Sequence, residues 1–247
     1  MRIKAIKTRL LKPPKDDLYG VISSRIKKLP ERSVLVMASK VVSIHQGRCV
    51  LKSKVTDKDE LIKKEADRYL PRKAVPKGAV MLTIKNNILI PTAGVDASNA
   101  AEYYILWPKT PQKTAREIYN FLRGKYKIKD FGVIIVDSHT VPMRRGVLGI
   151  TLGYYGFKPI NDYRGTKDLF GRKLVMSTTN VVDALATAGV LVMGEGRERT
   201  PLALITDISF IQFTSRPYKP KKKHSSLYIH WHEDLYGPLL KAIKWKK

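Results

Sequence analysis

Residues 110–137 read TPQKTAREIYNFLRGKYKIKDFGVIIVD. Thr110-Pro111 opens a helix, since proline suits a first helical turn; the pattern runs through Leu122, and Gly124 supplies a stop. FGVIIVD at 131–137 is then a continuous, β-branched apolar run, the mark of a strand covered on both faces. A helix feeding a doubly covered strand is a unit of layered α/β architecture.

The flanking sequence repeats the alternation. SVLVMAS at 33–39 reads as a second buried strand, and RIKAIKTRLL near the start as a half-buried one, with Ile3, Ala5 and Leu10 apolar among bases. Leu18, Val21, Ile22, Ile26 and Leu29 recur every three or four residues, predicting an amphipathic helix over 17–29, capped by Asp16 or Asp17 and stopped by Pro30. DKDELIKKEADRYL at 57–70 predicts another helix, and AVMLTI and ILIPTAG two strands joined by a tight Asn86-Asn87 turn. GVLGITLGYYG at 146–156 is a glycine-studded strand. TTNVVDALATAGVLVMGEG at 178–196 begins with capping residues and sets Val182, Leu185, Ala186, Gly189 and Val190 on one helical face, and PLALIT adds a last strand. No repeat of 20 to 50 residues occurs. The order predicts a mixed α/β (α+β) catalytic domain over 1–213 and a separate tail over 214–247.

Of 247 residues, 43% are hydrophobic and 28% charged, which excludes a disordered or fibrous chain. The net charge of +26 bounds the partner class to anions, attracted at long range. Cys49 is the single cysteine, so no intramolecular disulfide forms and a reducing cytoplasm is expected. The N-terminus lacks the apolar core of a signal peptide, and GVLGITLGYYGF and ALATAGVLVMG fall far short of a bilayer span. From residue 215 the tail carries nine Lys or Arg against two acids. It reads as a basic linker followed by a short amphipathic helix with Leu235, Leu239, Leu240 and Ile243. His230 and His232 flank Trp231, and without a third ligand nearby they read as surface histidines.

Acids are scarce, so three in special places stand out. Asp96 lies in TAGVDASN after a strand and a glycine turn, Asp137 ends FGVIIVD and is followed by Ser138, and Glu195 sits between glycines in MGEG. Carboxylates with a hydroxyl are hard ligands suited to Mg²⁺ or Mn²⁺, which in turn hold phosphates. There is no GxxxxGK[ST] loop and no GxGxxG after a first strand; MGEGRERTP is the substitute, with Gly194 and Gly196 opening backbone N–H groups to phosphate and Arg197 and Arg199 adding charge. No GxSxG elbow accompanies His139, and Cys49 has no base beside it.

VVSIHQGR (41–48), TAGVDASN (92–99), VIIVDS (133–138), RRGVLGITLGYYG (144–156), DYRGTKDLFGRKL (162–174) and VVDALATAGVLVMGEG (181–196), in this order and spacing, resemble the coenzyme F420-0:L-glutamate ligase (γ-glutamyl ligase) family over roughly residues 1–210. The resemblance implies a GTP-dependent ligase that joins L-glutamate to an acceptor carboxylate, with Mg²⁺ or Mn²⁺ and stimulation by K⁺, on an α/β subunit that intertwines into a homodimer. By the same resemblance Asp96, Asp137, Ser138 and Glu195 are the metal ligands. Nucleotide contacts fall to the first loop from Arg9 through Leu10 and Leu11 to Lys12, to Ser39, Lys40 and Asn99, and to Met193, Gly194, Glu195, Gly196 and Arg197. The chain departs from the family pattern at Ile44, where a lysine is common, and after MGEG, where Arg197, Glu198 and Arg199 replace a glycine- and aspartate-rich continuation.

The chemistry accounts for these residue types. A carboxylate is a poor electrophile and must first take a phosphoryl group; metal ions and arginines carry the charge of that transfer. Arg144 and Arg145 are the candidates for gripping the anionic acceptor or the phosphoryl group, because guanidinium contacts are bidentate. The acceptor is an F420 precursor or a folate-type pterin; both are polyanionic. The competing class is a basic RNA-binding protein on an inactive ligase fold, using tail lysines with Tyr228, Trp231 and Tyr236.

Overall fold

The structure, a computed structural model, describes residues 1–218 and 227–247. The first half contains β1 (Arg2–Ile6), α1 (Leu18–Arg25), β2 (Ser33–Ala38), α2 (Ser39–His45), β3 (Cys49–Leu51), α3 (Lys58–Glu65), β4 (Arg68–Leu70), β5 (Leu82–Lys85), β6 (Ile88–Pro91) and β7 (Tyr103–Ile105). The second contains α4 (Pro111–Tyr126), β8 (Phe131–His139), β9 (Leu148–Tyr155), β10 (Ile160–Asp162), β11 (Thr178–Asn180), α5 (Val181–Met193), β12 (Leu202–Thr206) and α6 (Gly237–Ala242).

The main sheet runs β1-β12-β2-β8-β9, and only β2 and β8 are parallel. These two are the continuous apolar runs, and alternation along them serves two cores. Leu35, Met37, Val133 and Ile135 pack with α1, α2 and α4 through Ile22, Val42, Ile118 and Leu122. Val34, Val36, Ile134 and Val136 pack on the other face with Val182, Leu185 and Ala186 of α5. The mixed α/β expectation is met as a sheet between helical layers. A third, smaller core (Ile62, Met81, Val95, Leu106) lies under β4-β5-β6. That small sheet contains the expected hairpin, with Asn86 and Asn87 both left-handed (φ 50° and 62°).

β9 seats helices on both of its faces. A bulge opposite Ile135/Val136 inserts Leu152, so residues that simple alternation would put on one face part company. Gly149 meets the α5 backbone at Ala186, where a Cβ would come within 2.5 Å; Gly153 meets Pro111 of α4, at 2.4 Å.

Four local expectations are corrected. α1 stops at Arg25; Ile26 turns extended, and Ile26 and Leu29 are buried from an irregular segment that suits the residues approaching Pro30. Neither acid before α1 caps it with a side-chain bond, because Asp16 is drawn to Arg9 at 2.7 and 2.6 Å. The 57–70 segment is helical only to Glu65: Arg68–Leu70 pairs with β5, a ladder that outcompetes one more helical turn. α4 passes through Gly124 to Tyr126 and ends where Lys127 turns left-handed (φ 54°) and donates its N–H to Arg123 O.

The last described segment folds back on the small sheet. Lys246 pairs with Tyr69, Asn87 Nδ2 donates to Ile229 O at 2.6 Å, and the Arg68 guanidinium lies 4.9 Å from the Trp231 ring centroid. A short helix, α6, does form in the tail, but it holds only Leu239 and Leu240 of the four expected apolar positions and leaves Leu235 and Leu239 exposed; the basic linker expected before it falls largely on 219–226, outside the described residues. His230 and His232 stack on each other (4.9 Å), and among the described residues no group of three or more His, Cys, Asp or Glu is placed to hold a metal unaided. No described helix is long and apolar enough to cross a membrane.

Candidate functional site

Because β2 and β8 are parallel and in register at Ala38 and Val136, both carboxyl ends deliver their next residues to one edge of the sheet. Clefts of α/β sheets open at such edges. Ser39 and Lys40 leave β2 there, and Asp137 and Ser138 sit at the end of β8. α5 delivers Met193 and the loop 194–199 to the same place, and the segment 8–11 and the loop 96–99 close the sides. The resulting cavity, about 440 Å³, is lined by Leu10, Leu11, Ser39, Lys40, Asp96, Asn99, Asp137, Ser138, Met193, Gly194, Glu195, Gly196 and Arg197, all the expected metal and nucleotide residues except Lys12, which lies outside it. Arg9 lines it as well. Arg144 and Arg145 do not; they lie on the exposed 140–147 loop.

Hydrogen bonds tie the walls together. Asn99 Nδ2 donates to Gly196 O at 3.1 Å, and Ser138 Oγ lies 3.3 Å from Glu195 Oε2. Lys40 Nζ bridges Asp96 Oδ2 (2.6 Å) and Ser98 O (2.9 Å). Burial works against the Asp96 carboxylate, yet Lys40 and the two Ser98 donors hold it below its ordinary range. Asp137 goes the other way. Burial pushes its carboxyl up to about 6, against bonds from the Trp107 indole, the Ser138 backbone and the Ser39 hydroxyl; the charge of Asp96 adds to the rise. Arg9 is held by Asp16, whose carboxyl that guanidinium keeps well below the usual range. Ile44, in place of the family's common lysine, also lines the cavity, one turn after Lys40 on α2, so Lys40 shares the face that lysine would occupy.

The donor set fits a divalent cation of one kind. Asp96, whose charge raises the proton affinity of Asp137, joins that carboxylate, the Ser138 hydroxyl and the Glu195 carboxylate as a set of hard oxygen donors. They are too few and too spread to cage an ion alone. That suits Mg²⁺ or Mn²⁺, which take one or two carboxylates and complete their shell with phosphates and water.

Trp107 is the functional neighbour that sequence reading missed. It precedes Pro108 in a segment without periodicity, and nothing local links it to Asp137, 30 residues away. Only its rarity, one of three tryptophans, marks it.

Residues 5–207 match the family model described as F420-0:Gamma-glutamyl ligase. The chain is 33% identical to the coenzyme F420:L-glutamate ligase of Methanopyrus kandleri over 221 residues, covering 83% of this chain and 86% of that protein. It is 33% identical to the protein of the same name from Archaeoglobus fulgidus (78% and 82% covered) and 31% identical to that of Methanococcus maripaludis strain S2 (79% and 84%).

Proposed function

The chain belongs to the F420-0:gamma-glutamyl ligase family, and we propose that it joins L-glutamate to the carboxylate of an F420 precursor or a folate-type pterin at the expense of a nucleoside triphosphate, GTP in the first instance. The observation that carries this reading is the meeting, in one cavity at the carboxyl edge of β2 and β8, of scarce acids from three separate places in the chain: Asp96 of the 96–99 loop, Asp137 near the end of β8, and Glu195 of the glycine loop 194–196. The RNA-binding reading is not favoured. Its tail aromatic Trp231 lies under Arg68, and carboxylates at the head of a cleft repel phosphate unless a cation intervenes.

In the reaction, the acceptor carboxylate attacks the γ-phosphorus, nucleoside diphosphate leaves, the glutamate amine attacks the acyl phosphate, and phosphate departs with loss of the amine proton. Asp96, Asp137, Ser138 and Glu195 would hold the divalent cation, which when bound neutralises the triphosphate and polarises the transferred phosphoryl group. K⁺ would add to the cation complement, as the resemblance implies. The N–H groups expected to open toward phosphate are already given, Gly194 N–H to Val190 O and Gly196 N–H to Glu198 Oε2, so the phosphates are met by the charge of Arg197 and of Arg9, whose guanidinium Asp16 fixes at the cavity wall. Ser39 and Asn99 face the nucleotide, and Lys40 supplies the charge that keeps Asp96 ionised. Arg144 and Arg145 act from outside the cavity, on the acceptor. The working unit is a homodimer.

Mass spectrometry of products tests this. The protein is incubated with Mn²⁺ or Mg²⁺, K⁺, GTP or ATP, glutamate and, in parallel, an F420 precursor or tetrahydrofolate. A product heavier by glutamate in one acceptor lane, absent with Asp137→Asn, is expected. No product and no nucleotide hydrolysis in any lane would refute the ligase.

A further inference from the structure

A largely buried ionic cluster around Lys85 has no part in the steps above. Arg48 Nη2 donates to both oxygens of Glu65 (2.9 and 2.8 Å), and Lys85, 8% exposed, places Nζ 2.6 Å from Glu65 Oε2 and 3.3 Å from Ala93 O. Burial works against the Glu65 carboxylate, yet Lys85 and Arg48 hold it ionised. Buried ion clusters contribute little net stability compared with apolar packing, so their placement asks for another role.

Both ends of Trp107 are tied to this cluster. Arg48 Nε donates to the Trp107 carbonyl at 3.1 Å, and the Lys85 ammonium lies 5.5 Å from the indole centroid, within reach of a cation–π contact. The ring is 2% exposed, and its edge lies flush on Gly94, where a Cβ would stand 2.0 Å from Nε1. Nε1–H, the only donor an indole has, is given to Asp137 Oδ2. A cation over the ring withdraws electron density and strengthens that donor.

We propose that Trp107, locked by Lys85, Glu65 and Arg48, is a positioning residue for Asp137: its N–H engages Oδ2 and, beside the bonds from the Ser39 hydroxyl and the Ser138 backbone, sets the rotation in which the carboxylate would meet a divalent cation. The proposal rests on the reading of Asp137 as a metal ligand. Outer partners of this kind typically govern ligand geometry and metal affinity.

The test is Mn²⁺ binding by the full chain in the presence of a non-hydrolysable GTP analogue, read as free Mn²⁺ by electron paramagnetic resonance, with a thermal melt for each variant. Trp107→Phe keeps the ring and removes the donor; it is expected to weaken Mn²⁺ about tenfold with a melt near that of the parent. Lys85→Met is expected to weaken it in the same direction, and Lys85→Arg, which keeps the Glu65 pair and the cation over the ring, to restore most of the loss. Should Lys85→Met fail to fold, Trp107→Phe and Lys85→Arg decide. Parental affinity in Trp107→Phe, alongside lost affinity in Asp137→Asn, would overturn the positioning role and leave the ligand reading standing. No Mn²⁺ retention by the parent chain, or parental retention in Asp137→Asn, would overturn both.

Discussion

Asp137 carries opposing demands on stability and function. Its folded-state carboxyl titrates near 6, above an unfolded aspartate, so the folded state holds that proton more tightly. Above pH 6 the ionised, metal-free side chain therefore costs stability, and the cost fades as pH falls toward 4. Asn in its place keeps an oxygen for the Trp107 N–H and removes the charge. Asp137→Asn is expected to stabilise the metal-free protein by roughly 1–3 kcal/mol at pH 8 and by little at pH 4, measured by urea unfolding, while abolishing ligation. A loss of stability at pH 8 would contradict the burial argument. The scarce acids were legible in sequence because each follows an apolar strand or sits in a glycine turn. Trp107 and Lys85 were not: each acts through contacts with residues distant in sequence, and an isolated tryptophan or lysine leaves no periodic trace.

β9 shows at the level of an element where pattern reading stops. Its existence follows from GVLGITLGYYG, but the faces of its glycines do not, because one bulged residue, Leu152, reverses the alternation halfway along. Gly149→Ala would drive a Cβ into the Ala186 backbone of α5, and Gly153→Ala into Pro111 of α4. Each is expected to cost about 2 kcal/mol or more, since neither neighbour is a side-chain tip that can swing away. The losses should add in the double variant, because the contacts lie on opposite faces. Gly124 gives the contrasting case. It read as a helix end, yet it lies in an exposed turn of α4 with nothing within 4 Å of an added Cβ. Gly124→Ala is accordingly expected to stabilise by up to about 1 kcal/mol. Denaturant midpoints of the four variants check both halves of the argument, and a stabilising Gly149→Ala would refute the close approach of α5.

At the scale of the whole molecule, the arm between β10 and β11 is where the proposed homodimer can be tested. Leu169 and Phe170 are 99% and 89% exposed, and Val175 and Met176 nearly as much. The ribbon that carries them pairs through β10 and β11 and again at Lys167 and Lys173, and it leaves these apolar side chains in water. A second copy is the occupant the proposed homodimer supplies, and the charge of the chain then dictates a sign. Two bodies of +26 repel, so an association driven by apolar burial should tighten as salt screens that repulsion. Binding of the same basic surface to nucleic acid would weaken with salt, through counterion release. Sedimentation velocity at about 0.1 M and about 0.5 M salt separates the two. A dimer is expected at both, tighter at the higher, and Leu169→Asp with Phe170→Asp is expected to yield monomers with an unchanged melt. A chain that stays monomeric at both salts would refute the dimer and leave the arm's apolar residues without this explanation.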